Sequence, residues 1–148
     1  MPNDIRAFCR QFNENIRVEY KSDFGASVRN VIPKIVSSFA NSLGGVLIIG
    51  VRADRGVPID PIEGFAEPKR EELGLTIQNI CLMSINPPVL LRCTVVSSDV
   101  KDKVFVAVEI DDSRDTPHSI ENSTKVYVRT ATPAIRTNWP RSIRSSAC

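Results

Sequence analysis

Cysteine and histidine are scarce and scattered. Cys9, Cys81, Cys93 and Cys148 stand far apart with no C-x-x-C pair, and His118 is the single histidine. That inventory excludes a structural zinc site, whose ligands come in closely spaced pairs. Free thiols with no disulfide framework point to a reducing compartment. No apolar run is long enough for a signal-peptide core or for a membrane helix, which needs about 20 residues. A soluble, cytoplasmic protein with no membrane partner is therefore expected. The sequence also lacks G-x-x-x-x-G-K-[ST], so Gly44-Gly45 reads as a helix stop and not as a phosphate loop. There is no internal repeat and no low-complexity segment. What is present is one core's worth of chain: 148 residues, 42% hydrophobic and 24% charged, too short for two ordinary domains. The net charge is only +2, yet no acid follows Glu121, while Arg129, Arg136, Arg141 and Arg144 fall in that last stretch. That asymmetry is compatible with a basic patch or with a merely solvated tail.

Hydrophobic periodicity divides the chain. Residues 4–12 place Ile5, Phe8, Cys9 and Phe12 at helical spacing behind Asn3 or Asp4 as N-cap. From Ile16 the period becomes two, with Ile16, Val18 and Tyr20 on one face and Arg17, Glu19 and Lys21 on the other. Val28, Val31, Ile32, Ile35, Val36, Phe39, Ala40 and Leu43 then follow a 3.6-residue period. Proline is costly deep inside a helix, so the pattern predicts a regular helix from about Asn30, with Pro33 in its first turn and Gly44 as its left-handed stop. Residues 46–51 form a continuous apolar run, as in a central strand covered on both faces. Residues 52–68, rich in Asp, Gly and Pro, read as an irregular loop. Helical spacing returns over 69–85 and stops at Asn86-Pro87-Pro88. Residues 89–96 and 103–110 read as a hairpin, and 125–130 as a last strand after a polar loop. The order predicts an α+β fold, a single domain over residues 1–148 with a mixed sheet packed by helices.

Three acids and a lysine carry the chemistry. Glu19 lies on a strand, Glu14 just before it, and Asp54 at the mouth of the next strand, so the three converge if those strands are neighbours. Carboxylates are the ordinary ligands of magnesium and manganese, and a metal held against a phosphodiester polarises it and helps generate hydroxide. Lys21, on the face of Glu19, is placed to bind phosphate or to offset developing negative charge. Spacing alone favours a blander reading, because Glu-x-Lys on an exposed strand is most often a solvated ion pair.

The ordered set Val18-Glu19-Tyr20-Lys21, Phe39-Ala40-Asn41 running into Gly44-Gly45, and Ile48-Ile49-Gly50-Val51 before an aspartate resembles the Schlafen family core. That is the AlbA-like nucleic-acid-binding domain, also labelled divergent AAA. Asn86-Pro87-Pro88, Thr116-Pro117 and Tyr127-Val128-Arg129 fit the same pattern, so the resemblance is strongest over residues 12–135 and leaves 136–148 as a basic tail. It implies metal-dependent endoribonuclease activity on structured RNA such as transfer RNA, with Glu14, Glu19 and Asp54 holding Mg2+ or Mn2+ and Lys21 assisting at the phosphate. The cysteine and histidine zinc site of animal Schlafens is missing from this sequence. So is the second lobe of their horseshoe, and a homodimer placing two acid clusters around one cleft would replace it. Lys34, Lys125, Arg129 and Arg136 are the candidate nucleic-acid contacts, with RNA expected ahead of DNA. A non-catalytic DNA- or RNA-binding or regulatory module, using the acids structurally, is the alternative.

Overall fold

The computed structural model describes residues 4–120 and 125–130. Asp4 caps the first helix, α1 (Ile5–Gln11), accepting the N–H groups of Arg6 and Ala7 at 3.0 and 3.3 Å. Strand β1 (Val18–Lys21) pairs parallel with β2 (Gly45–Ile49), and β2 pairs antiparallel with β8 (Lys103–Ile110). β7 (Leu91–Ser97) runs antiparallel to β8 on the far side, in the register Arg92 to Glu109. The short β5 (Phe65–Ala66) pairs with Val104 and Lys103. Val104 also faces Ser97, so β5 continues the β2 side of β8 and β7 forms the opposite edge. The fold is α+β with a mixed sheet, as the element order predicts.

Both faces of the sheet are covered, and the side chains of β8 alternate between them. Val104, Val106, Val108 and Ile110 pack with α2 (Ala26–Ala40) and α3 (Leu73–Ser84). Phe105 and Ala107 pack instead with α1, Tyr20 and Ile48. In β2, Leu47 and Ile49 face the helix pair while Ile48 faces α1, which is why this segment is apolar without alternation.

Five features depart from the periodicity reading. α2 begins at Ala26, so Pro33 lies inside the helix, buried. The proline costs a backbone hydrogen bond and a clash, about 3 kcal/mol, and the burial of Val28 and Ile32 before it and of Ile35 and Val36 after it offsets this. β1 starts two residues later than Ile16, after a turn in which Asn15 and Val18 bridge each other. The 52–68 stretch holds a tight hairpin, β3 (Ala53–Asp54) and β4 (Val57–Pro58), whose Arg55 and Gly56 have φ of 52° and 80°. Residues 125–130 are extended but form no strand; a single bridge joins Ser119 to Val126. Ser119 belongs to β9 (Ser119–Ile120), which pairs with β6 (Ile85–Asn86) inside what reads as plain loop. Among the described residues, no helix is long and apolar enough to cross a membrane.

The α2–β2 junction is tight. Gly44 takes φ of 74° and donates to Phe39 O at 2.8 Å, closing the helix. A methyl group on Gly45 would run into the Phe39 ring and the Arg17 carbonyl. Gly45→Ala is therefore expected to lower stability by about 1–3 kcal/mol through overpacking. Urea unfolding reads this directly, and an unchanged midpoint would show that the junction has slack.

Candidate acid pair and its arginine clamp

Glu14 sits in the turn between α1 and β1, held by its backbone. Its N–H donates to Gly56 O at 2.7 Å, which docks the β3–β4 hairpin against it. Its carboxylate Oε2 accepts the N–H of Tyr20 at 3.2 Å, while the Tyr20 hydroxyl donates to Phe12 O at 2.5 Å. Val18 and Tyr20 point into the α1 side of the core, so Glu19 emerges on the α2 side. There the Glu14 and Glu19 carboxyl groups are neighbours whose titrations are linked.

Between two neighbouring carboxyl groups, the environment decides which holds a proton. Glu14 is exposed as a residue, but partial desolvation of its carboxyl beside Tyr20 raises its pKa to about 7, with the neighbouring Glu19 carboxylate adding to it. Burial also acts upward on Glu19. The neighbouring Glu14 carboxyl and the Arg129 hydrogen bond, with the charges of Arg129 and Lys21, outweigh it and hold Glu19 below the usual carboxylate range. Glu14 is thus the proton holder and Glu19 the anion.

The cation facing that anion is Arg129. Nη1 lies 3.0 Å from Glu19 Oε1, Nη2 donates to Asn15 O at 2.9 Å, and Nε donates to Ile16 O at 3.2 Å. The guanidinium stacks over Phe39 at 4.4 Å, and the two side chains of the ion pair are only 13% and 16% exposed. The end of α2 holds the same segment. Ser42 Oγ accepts the Arg129 N–H at 2.9 Å, and Asn41 Nδ2 donates to the carbonyls of His118 and Tyr127 at 2.9 and 3.0 Å. Asn41 Oδ1 in turn accepts the His118 N–H at 2.7 Å.

The sequence candidates therefore separate. Glu14, Glu19 and Lys21 come together on one side of β1. Asp54 lies exposed on the hairpin that touches Glu14 through Gly56, and among the described residues no three His, Cys, Asp or Glu side chains are grouped to hold a metal ion. The oxygen donors suit magnesium or manganese chemically, while in this arrangement Glu19 is engaged by the Arg129 guanidinium and Asp54 stands apart on its hairpin. The Arg129 side chain faces inward, its guanidinium bonded to the Glu19 carboxylate and to the Asn15 and Ile16 carbonyls. Lys34 and Lys125 are exposed, and Lys34 Nζ stands 4.9 Å above the Tyr127 ring. Arg136 lies outside the described residues. On α2 and its C-cap, Asn41 acts as a clamp and Ser37 is buried, its hydroxyl donating to Lys34 O. Burial pushes the thiols of Cys9 and Cys93 to about 11 and that of Cys81 to about 12, so none is a nucleophile at neutral pH.

A family model described as Schlafen, AlbA_2 matches residues 14–136, from the first of the paired glutamates to beyond the clamping arginine. The chain belongs to the Schlafen, AlbA_2 family. Membership supports a role in nucleic-acid binding. Two solved structures share the fold. The N-terminal domain of a RecG-related protein from Nitrosomonas europaea is 19% identical, with a TM-score of 0.54 over 85% of this chain and 86% of that one. The DIP2311 protein from Corynebacterium diphtheriae is 16% identical, with a TM-score of 0.53 over 97% of this chain; the match spans 28% of that protein.

Two outcomes follow from the clamp. Arg129→Ala leaves a mostly buried carboxylate unpartnered and is expected to cost about 2–3 kcal/mol. Arg10→Ala, which breaks an exposed pair with Asp60, costs under about 1 kcal/mol. Denaturant unfolding of the two variants checks the contrast. Because the folded-state pKa of Glu14 is raised, its contribution to stability is full below the unfolded value near 4.5 and is lost as pH rises to about 7. The melting temperature of wild type should fall across that window relative to Glu14→Gln, and parallel curves would refute the raised Glu14 pKa.

Proposed function

We propose that this domain binds nucleic acid through the face built from α2 and the 125–130 segment. The observation that carries the reading is the family match over residues 14–136, which spans the acid pair, its clamp and the Lys34–Tyr127 contact. On that face Lys34 and Lys125 are exposed cations, and Lys34 lies over the Tyr127 ring, the combination of charge and aromatic surface that neutralises phosphate and stacks a base. The Glu19–Arg129 pair works beneath it, anchoring the segment that carries Tyr127. The RecG-related protein of similar fold is named for a DNA helicase relationship, so duplex DNA belongs in the test beside transfer RNA and single-stranded RNA.

The second reading is metal-dependent cleavage of structured RNA. It is favoured by the contact between Glu14 and Glu19, two carboxylates five residues apart that already share one site. It requires Asp54 to join them and Arg129 to yield its carboxylate to a divalent ion.

Labelled transfer RNA, single-stranded RNA and duplex DNA, each titrated at several salt concentrations with and without manganese, separate the readings. Affinity should fall with salt, and Lys34→Ala should weaken binding to all ligands and reduce the salt slope by about 1. Salt-independent binding, or none, would overturn the proposal. If manganese produces strand scission, Asp54→Asn should abolish it while sparing affinity. Intact RNA under every condition removes the nuclease reading and leaves the binding one standing.

A further inference from the structure

α3 has two apolar faces, and the sheet uses one of them. Leu73, Ile77 and Cys81 are buried against it at helical spacing. On the other side Leu75 and Leu82, two turns apart, are 59% and 60% exposed, and Leu90 just ahead of β7 is 90% exposed. These three leucines line one groove with Gln78, Asn79 and Leu91, and Met83, 74% exposed, follows Leu82 on the helix. Single exposed leucines are ordinary; a contiguous group is the mark of a contact surface.

The groove runs beside an open strand edge. Among the described residues β7 pairs with β8 alone, so every second residue from Leu91 to Val96 turns its backbone N–H and C=O away from any strand. A charge commonly guards such an edge. The sole charged residue of β7, Arg92, is instead drawn back onto Asp111 at 3.0 Å and Glu109 at 3.8 Å.

We propose that this face seats a second copy of the same chain, the two β7 strands pairing antiparallel about a two-fold axis while the two α3 grooves close on each other. Three observations single out that occupant. An antiparallel strand edge is its own complement under a two-fold, and Leu91, Cys93 and Val95 all pack toward the helix side, so the axis brings both α3 helices to one face of the joined sheet. Gln78 and Asn79 fall midway between Leu75 and Leu82, so helices meeting there oppose leucine to leucine and amide to amide, each amide both donor and acceptor. α3 also carries no charged residue, so like meets like without repulsion, and the face offers nothing to a phosphate backbone.

The size fits a concentration-dependent pair. Seven residues of β7 at ~3.4 Å each give an edge ~24 Å long. With a helix layer ~10 Å thick above the sheet, the face is on the order of 250 Å² per copy and ~500 Å² in total, the size of a weak contact that forms only at high concentration. Because β7 and β1 are opposite edges, such a dimer carries its two acid pairs at its far ends. The sequence expectation of two clusters facing one cleft is not what this surface builds.

Light scattering after gel filtration, from low to high micromolar protein without nucleic acid, tests it. The mass should rise from one chain to two. Leu82→Glu combined with Leu90→Lys should hold it at one chain at every concentration, with the circular dichroism spectrum and melting temperature of dilute wild type. Leu43→Glu, an equally exposed leucine at the end of α2, should dimerise like wild type. A wild type that stays at one chain throughout, a double variant that still doubles, or a Leu43→Glu protein that fails to pair would each overturn the proposal.

Discussion

The ion pair between Arg129 and Glu19 joins residues 110 apart in sequence, and much of the molecule is arranged around it. A guanidinium with little exposure to water is tolerable only if its donors find oxygens, and here they find a carboxylate and two turn carbonyls. Those carbonyls belong to Asn15 and Ile16, so the arginine stitches the last described segment across the α1–β1 turn while resting on Phe39 from α2. Glu19 is left anionic and Glu14 is left as the partner able to keep a proton. The acid pair is thus a product of the clamp as much as of the glutamates themselves.

That dependence explains what is legible in the sequence and what is not. Period-two alternation assigns the face of Glu19 and Lys21, and the 103–110 strand can be read to its ends, because a buried strand between two layers has little latitude. Helix α2 reads too short from its pattern because Pro33 is a local cost, whereas the burial that offsets it is a property of the packed core. The 125–130 segment has strand-like composition, yet its carbonyl and amide groups are taken by the Asn41 and Ser42 side chains from the end of α2 instead of by a neighbouring strand. No local pattern reveals that exchange, since the signal lies in an asparagine more than eighty residues away.

The candidate site is half legible for the same reason. The two glutamates belong to one turn and one strand, so their approach is a local matter. Arg129 reads as surface charge because arginine usually is, and its role depends on a pairing no spacing rule can supply. Asp54 fails to join because a tight turn after it sends the chain back as a hairpin, leaving its side chain exposed while Gly56 makes the contact with Glu14.

The two edges of the sheet consequently have different chemistry. At the β1 edge, polar groups are partly withdrawn from water and their charges are balanced within the chain, so a ligand there must offer charge of its own or displace Arg129. At the β7 edge, the helix above is uncharged and the strand has hydrogen-bonding capacity left over, so a ligand there must offer backbone and apolar surface. A second polypeptide satisfies only the second demand. Because the β2 and β8 strands stand between the two edges, occupation of one need not obstruct the other, and pairing through β7 would leave the β1 edge of each copy open.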